Sequence, residues 1–188
     1  MTDVTDAEEV PELTKLHDEL RGALKQYPDF PQPGILFEDI LPLFSSYEHH
    51  AKLMEALALQ VLQAFPVKPD VIVGLDARGF LFGPSLALKL EAGFVPVRKK
   101  GKMPGECVSV KFMKEYGADI FEMQKGGIKP GQRVLVVDDI IATGGSAAAA
   151  GSLVRQLEGN LIGYLFILEI DVLKGREKLD APVYTLLH

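Results

Sequence analysis

The chain has 188 residues, of which 47% are hydrophobic and 24% are charged, proportions that are typical of one soluble globular domain. The formal net charge of −6 makes the average surface repel nucleic acid, so any affinity for phosphate must come from a local group of donors. The single cysteine excludes an internal disulfide and a cysteine-based zinc site, and it fits a reducing compartment.

The first third of the chain predicts two helices separated by an irregular segment. Apolar residues at helical spacing predict an amphipathic helix over residues 11–27 that stops before Pro28. Three prolines and a glycine within residues 28–40 predict an ordered but irregular stretch. Apolar positions at helical spacing predict the second helix over residues 54–65.

The rest of the chain alternates predicted strands and helices. Between residues 98 and 124 the pattern is mixed, basic and interrupted by Gly and Pro, which predicts a long mobile loop or ribbon. The alternation predicts an α/β fold whose mostly parallel central sheet is flanked by helices, with ligands beyond the carboxyl ends of the strands. Strands are predicted at 71–75, 94–97, 134–137, 161–170 and 183–187, and helices at 79–90 and 147–157.

The most informative segment is the run from Val134 to Ser146. Four apolar residues indicate a strand buried on both faces, which brings Asp138 and Asp139 to its carboxyl end. Neighbouring strand residues point to opposite faces, so both acids can serve one ligand only if the chain turns there. The turn that follows precedes a helix and can expose backbone N–H groups to an anion. This anion cup is assigned to Ala142, Thr143, Gly144, Gly145 and Ser146.

Two acids beside an anion cup suit a sugar phosphate, whose ring hydroxyls need acceptors. An ordinary strand–turn–helix with a glycine-rich turn is the alternative, but it does not explain why two acids close a buried strand. The run is not a Walker A loop, since no Gly-Lys-Ser/Thr follows the glycines, and the dinucleotide fingerprint Gly-x-Gly-x-x-Gly is absent as well.

The run resembles the phosphoribosyl pyrophosphate (PRPP) motif of the type I phosphoribosyltransferases, and the resemblance extends from residue 27 to residue 179. It implies the type I phosphoribosyltransferase fold in a single domain over residues 1–188. A small N-terminal helix and hood over about 1–45 and a flexible catalytic loop over about 98–124 are expected. The acid pair would bind the ribose hydroxyls and the cup the 5′-phosphate, with Mg²⁺ as a cofactor held mainly by PRPP or pyrophosphate.

A second turn follows the predicted strand at 71–75. It would expose backbone N–H groups and one guanidinium at a helix start, which suits a diphosphate. A plain strand–helix turn with a solvent-facing arginine is the alternative. The resemblance assigns the turn as the pyrophosphate loop and implies a cis peptide bond within it, between Asp76 and Ala77. The residues assigned to this loop are Asp76, Ala77, Arg78 and Gly79.

Four cations fall within five residues, from Arg98 to Lys102, in an acidic chain. A solvated face, a nuclear localisation signal or a site for another polyanion would each be an ordinary interpretation. The resemblance implies instead that Arg98, Lys99 and Lys102 neutralise the departing pyrophosphate. It also implies that Arg98 reaches the site of a neighbouring subunit, so a homodimer is expected.

Two further segments acquire a role only through resemblance to the adenine enzymes of this family. Glu115 is implied as the acid/base that handles the purine proton, with Tyr116 beside the substrates in the same loop. Phe37 and Ile170 would lie on the two faces of adenine, while the backbone of Leu36 reads its polar edge. Without the resemblance, Glu115 would be a solvated loop residue and both apolar side chains would be core residues.

The resemblance therefore implies a purine-salvage transferase that makes AMP and pyrophosphate from adenine and PRPP. The alternatives are a phosphoribosyltransferase for another base, against which the short hood argues, and a non-catalytic PRPP-sensing regulator. A regulator would usually carry a basic DNA-binding domain, for which this acidic chain has no room. No apolar stretch is long enough to span a membrane, the acidic start resembles neither a signal nor a transit peptide, and the histidines show no metal-ligand spacing. A cytoplasmic protein without nucleic-acid or membrane partners is expected.

Overall fold

The computed structural model describes residues 11–30, 32–34, 36–114 and 117–187, and the chain divides into two compact units, Met1–Pro66 and Val67–His188. In the first unit, α1 buries Leu13, Leu16 and Leu20 at helical spacing and packs against α3. Ser46 caps α3 by accepting a hydrogen bond from the backbone N–H of His49. The elements of this unit are α1 (Pro11–Gly22), β1 (Lys25–Pro28), β2 (Leu36–Asp39), α2 (Leu41–Ser45) and α3 (Tyr47–Ala64).

The prediction of a first helix as far as residue 27 is wrong. Helix α1 ends at Gly22, and β1 pairs antiparallel with β2, so that Tyr27 lies opposite Phe37. Glycine is among the least favourable residues for a helix interior, and β1 gains its backbone hydrogen bonds across the hairpin. Strand β2 likewise replaces part of the stretch that was predicted to be irregular.

The second unit is an α/β layer structure, as the sequence predicts. Its described residues form one seven-stranded sheet in the order β5-β6-β4-β3-β7-β8-β9. The five strands from β4 to β9 in that order run parallel, whereas β6 is antiparallel to β4 and β5 to β6. The elements are β3 (Val71–Leu75), α4 (Gly83–Leu90), β4 (Gly93–Lys99), β5 (Cys107–Lys114), β6 (Gly117–Gln124), β7 (Arg133–Ile141), α5 (Gly145–Gln156), β8 (Asn160–Glu169) and β9 (Val183–Leu187).

In two segments of this unit the structure differs in detail from the elements that the sequence predicts. The helix predicted over residues 79–90 is split into a 3-10 turn at Arg78–Phe80 and helix α4, because a proline in the first turn of α4 favours a new start there. The segment predicted as a loop or ribbon contains the antiparallel hairpin β5–β6, which is the ribbon alternative. Its mobility stays a prediction.

The core of the second unit positions the carboxyl ends of the strands. All five residues of β3 are buried, and so are Val134 to Val137 of β7. Helix α5 covers one face of the sheet with Ala147, Ala150 and Leu153. None of the helices in the described ranges has both the length and the apolar character that crossing a membrane requires.

Candidate active site

A cavity of about 200 Å³ opens at the carboxyl end of β7. Strand β3 pairs with β7 only as far as Val137, whereas β7 continues beside β8 to Ile141. One side of β7 is therefore open from Asp138 onward. Strands β4 and β7 lie on opposite sides of β3, the kind of switch point at which α/β sheets bind ligands. The cavity is lined by Arg78, residues 138–147 and Phe166.

Both acids of the sequence motif line this one cavity. The expectation that the chain must turn at the acids is wrong, because β7 stays a strand through both of them and ends at Ile141. Asp138 curls back so that its Oδ1 accepts a hydrogen bond from the backbone N–H of Asp139 (3.0 Å). The missing pairing with β3 leaves the space into which the acids open.

Burial makes the ionised form of each acid less favourable than it would be in water. Burial raises the pKa of Asp138 well above its usual range, and the neighbouring charge of Asp139 raises it further. Burial also raises the pKa of Asp139, which is 4% exposed, although the guanidinium of Arg78 opposes this shift. A ligand that offers hydroxyl donors or positive charge would favour the ionised forms of both acids.

The turn that the sequence predicts to be an anion cup lies directly before α5, and all five of its residues line the cavity. Gly144 adopts φ +77°, a left-handed conformation that side chains rarely adopt, and it is the N-cap of α5. Helix α5 therefore starts directly behind the turn, which leaves the first backbone N–H groups of the helix available to an anion.

The predicted pyrophosphate loop lies against the same strand. The peptide bond between Asp76 and Ala77 is cis, as the resemblance implied. A Cβ added to Gly79 would lie 3.0 Å from the carbonyl oxygen of Val137, so any larger residue would push the loop and β7 apart by a few tenths of an ångström. Arg78 Nε forms an ion pair with Asp139 Oδ2 at 2.9 Å. The predicted pyrophosphate loop is thus joined to the acid pair, which the sequence did not indicate.

The basic run contacts the pyrophosphate loop within the same chain. Arg98 Nε donates a hydrogen bond to Asp76 Oδ2 (2.8 Å), and Arg98 Nη1 donates one to the carbonyl oxygen of Lys102 (3.2 Å). Lys99 Nζ forms an ion pair with Asp119 Oδ2 on β6 at 3.4 Å. The run therefore joins the β5–β6 hairpin to the pyrophosphate loop.

Glu115 and Tyr116 lie outside the described residues, although β5 ends beside the cup, with the Met113 carbonyl oxygen 3.4 Å from a Cβ added to Gly145. Leu36 and Phe37 belong to the first unit, where Phe37 makes an edge-to-face contact with Phe30.

Ile170, the remaining residue predicted to contact the base, belongs to the second unit. It is half-buried, and its backbone N–H donates a hydrogen bond to the carbonyl oxygen of Ile141 (2.9 Å). Phe37 is half-buried as well, so neither side chain is fully enclosed as a core residue would be.

The sequence missed some residues of the cavity. Ile140, Ile141 and Ala147 fall within or beside the motif but carried no assigned role. Phe166 comes from β8, where it lies opposite Asp138 in the register, and only a known strand pairing could have found it. Among the described residues, no group of three or more His, Cys, Asp or Glu side chains is placed to hold a metal ion.

Comparisons with known proteins agree on one family. The phosphoribosyl transferase domain family matches residues 45–188. Adenine phosphoribosyltransferase 1 of Saccharomyces cerevisiae is 62% identical over 171 residues, which cover 90% of this chain and 91% of that protein. Adenine phosphoribosyltransferase of Yarrowia lipolytica is 59% identical over 176 residues, which cover 93% of this chain and 97% of that protein.

Solved structures give the same result. The Saccharomyces cerevisiae enzyme in complex with D-2,5-dideoxy-2,5-imino-altritol 1,6-bisphosphate and adenine superposes with a TM-score of 0.90 at 60% identity, over 93% of this chain and 99% of that chain. The Trypanosoma brucei enzyme in complex with AMP, pyrophosphate and ribose-5-phosphate has a TM-score of 0.77 at 25% identity, over 97% of this chain and 83% of that chain.

Proposed function

The chain belongs to the adenine phosphoribosyltransferase family, and from this premise we propose that its cavity transfers the phosphoribosyl group of PRPP to adenine. The products are AMP and pyrophosphate, so the reaction salvages a purine base. The observation that carries the proposal is that the acid pair, the anion cup and Arg78 of the pyrophosphate loop line one cavity. Those groups match a ribose, a 5′-phosphate and a diphosphate, respectively.

The cup and the acids bind the sugar end of PRPP. Backbone N–H groups at residues 142–146 grip the 5′-phosphate, so binding far from the reacting bond fixes the orientation of the ribose. Asp138 and Asp139 accept hydrogen bonds from the ribose hydroxyls. Their negative charge also stabilises the positive charge that grows on the ribose as the bond to pyrophosphate breaks.

The pyrophosphate leaves toward residues 76–79. Arg78 already lies beside Asp139, so its guanidinium borders the path from the ribose, while Arg98 contacts Asp76 of the same loop. Lys99 and Lys102 add positive charge from the same side of the chain. Neutralising the departing anion lowers the barrier to its departure.

The base is bound by residues that were identified by resemblance alone. N9 of adenine forms its bond to C1′ as the C1′–O bond to pyrophosphate breaks, and Glu115 takes the purine proton, with Tyr116 beside the substrates. Phe37 and Ile170 stack on adenine, and the backbone of Leu36 reads its edge. The half-burial of Phe37 and Ile170 supports this role, because each keeps part of its side chain available to a ligand.

Mg²⁺ suits the chemistry of this cavity. The ion prefers oxygen ligands, keeps several waters and is commonly held through one or two carboxylates together with substrate phosphates. Asp138 and Asp139 supply such a carboxylate pair, directly or through water. When bound with PRPP, the ion would offset the charge of the pyrophosphate.

Two further features complete the proposal. The protein acts as a homodimer in which Arg98 also serves the site of the neighbouring subunit, which requires it to exchange its contact with Asp76. If so, an Arg98→Ala protein mixed with an Asp138→Asn protein should regain activity in heterodimers. Failure to complement would confine Arg98 to its own chain.

The protein acts in the cytoplasm, whose reducing conditions suit a chain with one cysteine.

Substrate choice tests the proposal directly. Purified protein with Mg²⁺ and PRPP should convert adenine to AMP at least about 100-fold faster than hypoxanthine, guanine or xanthine, because a site shaped for one set of polar groups leaves them unpaired with another. Product formation is measured by chromatography. Equal rates with all four bases, or no turnover, would contradict the proposed function.

A further inference from the structure

Backbone atoms from near the end of the chain pack directly against the anion cup. Gly175 begins the 3-10 turn Gly175–Lys178. A Cβ added to Gly175 would collide with the carbonyl oxygen of Ala142 and would lie 3.0 Å from the backbone nitrogen of Gly144. A Cβ added to Gly144 would collide in turn with the carbonyl oxygen of Gly175. The position of the cup therefore depends on the position of this turn.

Arg176 fastens the turn to the sheet through three hydrogen bonds. Its Nε donates to Glu169 Oε2 (2.5 Å). Its Nη1 donates to the carbonyl oxygen of Val183 (2.7 Å), and its Nη2 to Thr185 Oγ1 (2.6 Å). Glu169 ends β8 and lies opposite Ile141, the residue that precedes the cup, while the other two acceptors belong to β9. One side chain thus joins the turn to two strands.

Two of the three acceptors of Arg176 belong to buried residues, which makes the arginine difficult to replace. The side chain of Glu169 is 6% exposed and Thr185 is 5% exposed. A buried carboxylate that loses its cation keeps its charge with little access to water, which costs far more than the loss of an exposed ion pair. The arrangement therefore favours a single position of the turn.

We infer that Arg176 is a positioning residue for the 5′-phosphate: it holds Gly175 against residues 142–144 and so fixes the backbone N–H groups of the cup. The inference rests on the function proposed above, because it takes the 5′-phosphate as the ligand of the cup. Arg176 does not line the cavity, so it acts through the backbone. A displacement of only about 1 Å in a binding group can cost a site up to roughly 100-fold in rate.

The effect should be selective for one end of the substrate. Arg176→Ala should raise the Kd for AMP about tenfold, because the phosphate loses well-aimed charged hydrogen bonds. The Kd for pyrophosphate should stay within about twofold, since residues 76–79 do not depend on this turn. In turnover, KM for PRPP should rise while KM for adenine stays constant.

A matched control lies at the other end of the sheet. Arg133 has a side chain that is 37% exposed, against 39% for Arg176, and it forms a two-point ion pair with Asp70. Arg133→Ala should lower Tm while the Kd for AMP stays within about twofold. Arg176→Lys should give a Kd for AMP between those of the wild type and Arg176→Ala, because one ammonium can meet Glu169 but not all three acceptors.

The test is a calorimetric titration of the full chain with AMP and, separately, with pyrophosphate in the presence of Mg²⁺. The inference requires that Arg176→Ala bind AMP more weakly than the wild type, bind pyrophosphate as well as the wild type, and that Arg133→Ala bind both ligands normally. Three results would each overturn it. Arg176→Ala could bind both ligands equally more weakly, Arg133→Ala could lose as much AMP affinity as Arg176→Ala, or Arg176→Ala could bind AMP as tightly as the wild type.

A second variant covers the case in which Arg176→Ala fails to fold. Gly175→Ala keeps the Arg176 side chain but drives a methyl group into the carbonyl oxygen of Ala142, so it should weaken the binding of AMP and leave that of pyrophosphate unchanged. Wild-type affinity for AMP in Gly175→Ala would refute the inference. A wild-type protein that binds neither AMP nor pyrophosphate would instead overturn the proposed function, and the inference with it.

Discussion

Two arginine–aspartate pairs lie at opposite ends of strands β3 and β7. At the amino ends, Asp70 accepts hydrogen bonds from the side chain of Arg133 at 2.5 and 2.9 Å and from its backbone N–H at 2.8 Å. At the carboxyl ends, Asp139 meets Arg78 through one contact at 2.9 Å. The same two residue types therefore occupy both ends of the sheet in different surroundings.

The surroundings decide what each pair does. The side chain of Asp70 is 34% exposed and its donors lower its pKa to about 2, so the carboxylate is stable as an anion and ties two strands together. Asp139 is buried beside a second acid, and its pKa is raised in spite of the arginine. The amino end therefore stabilises the fold, whereas the carboxyl end keeps an unfavourable arrangement that a substrate can relieve.

The largest expected effect comes from breaking each pair with the same substitution. Asp139→Asn should lower kcat/KM for AMP formation by about 100- to 1,000-fold, because it removes a charge that stabilises the transition state. Asp70→Asn should leave kcat/KM within about twofold, since it lies at the far end of the strands. Steady-state kinetics of both variants decide this. A comparable loss in Asp70→Asn would show that the two ends are not functionally distinct.

A smaller effect is expected from adding one methyl group at each end of the sheet. Gly79→Ala places a Cβ 3.0 Å from the carbonyl oxygen of Val137 and displaces the pyrophosphate loop, so kcat/KM should fall about 10- to 100-fold. Gly93 lies at the amino end of β4, where an added Cβ would find its nearest neighbour at 3.8 Å. Gly93→Ala should therefore retain activity within about twofold. Full activity in Gly79→Ala would show that activity does not depend on the close approach of the pyrophosphate loop to β7.

The smallest effects are on thermal stability, and the two ends should respond to pH with opposite signs. The pKa of Asp70 falls from 3.8 to about 2 on folding, so its stabilising contribution is present above pH 3.8 and is lost as the pH falls toward 2. The pKa of Asp138 is raised on folding, so its ionisation destabilises the fold as the pH rises above the usual carboxyl range.

The measurement is Tm against pH for Asp70→Asn and Asp138→Asn, with a chelator present. At neutral pH, Asp70→Asn should melt a few degrees below the wild type and Asp138→Asn at or above it. The difference for Asp138→Asn should vanish once the pH is in the acid range, and that for Asp70→Asn should shrink as the pH falls through 2. A lower Tm for Asp138→Asn at neutral pH would contradict the raised pKa of that acid.

The sequence predicted the parts of the molecule that depend on local chemistry. Buried runs such as Val71–Leu75 could be identified as strands because their apolar residues allow little else between polar turns. The cup could be identified because glycines between hydroxyl residues, placed before a helix, have a specific use. The resemblance added the cis bond after Asp76, which the structure contains.

Features that depend on long-range pairing could not be predicted. The end of α1 at Gly22 is set by the pairing of β1 with β2. Leu24 and Tyr27 continue the helical spacing beyond that point, so the sequence pattern alone predicts a longer helix. The ion pair between Arg78 and Asp139 requires knowledge that β3 and β7 are neighbours. The contact of Gly175 with the cup joins segments that are far apart in sequence.

The position of a bound AMP molecule tests the central claim most directly. A crystal structure of the protein grown with AMP should place the 5′-phosphate on the backbone N–H groups of residues 142–146 and the ribose hydroxyls within hydrogen-bonding distance of Asp138 or Asp139. A nucleotide bound elsewhere, or one whose phosphate lies on residues 76–79 with its ribose away from the acid pair, would contradict the account.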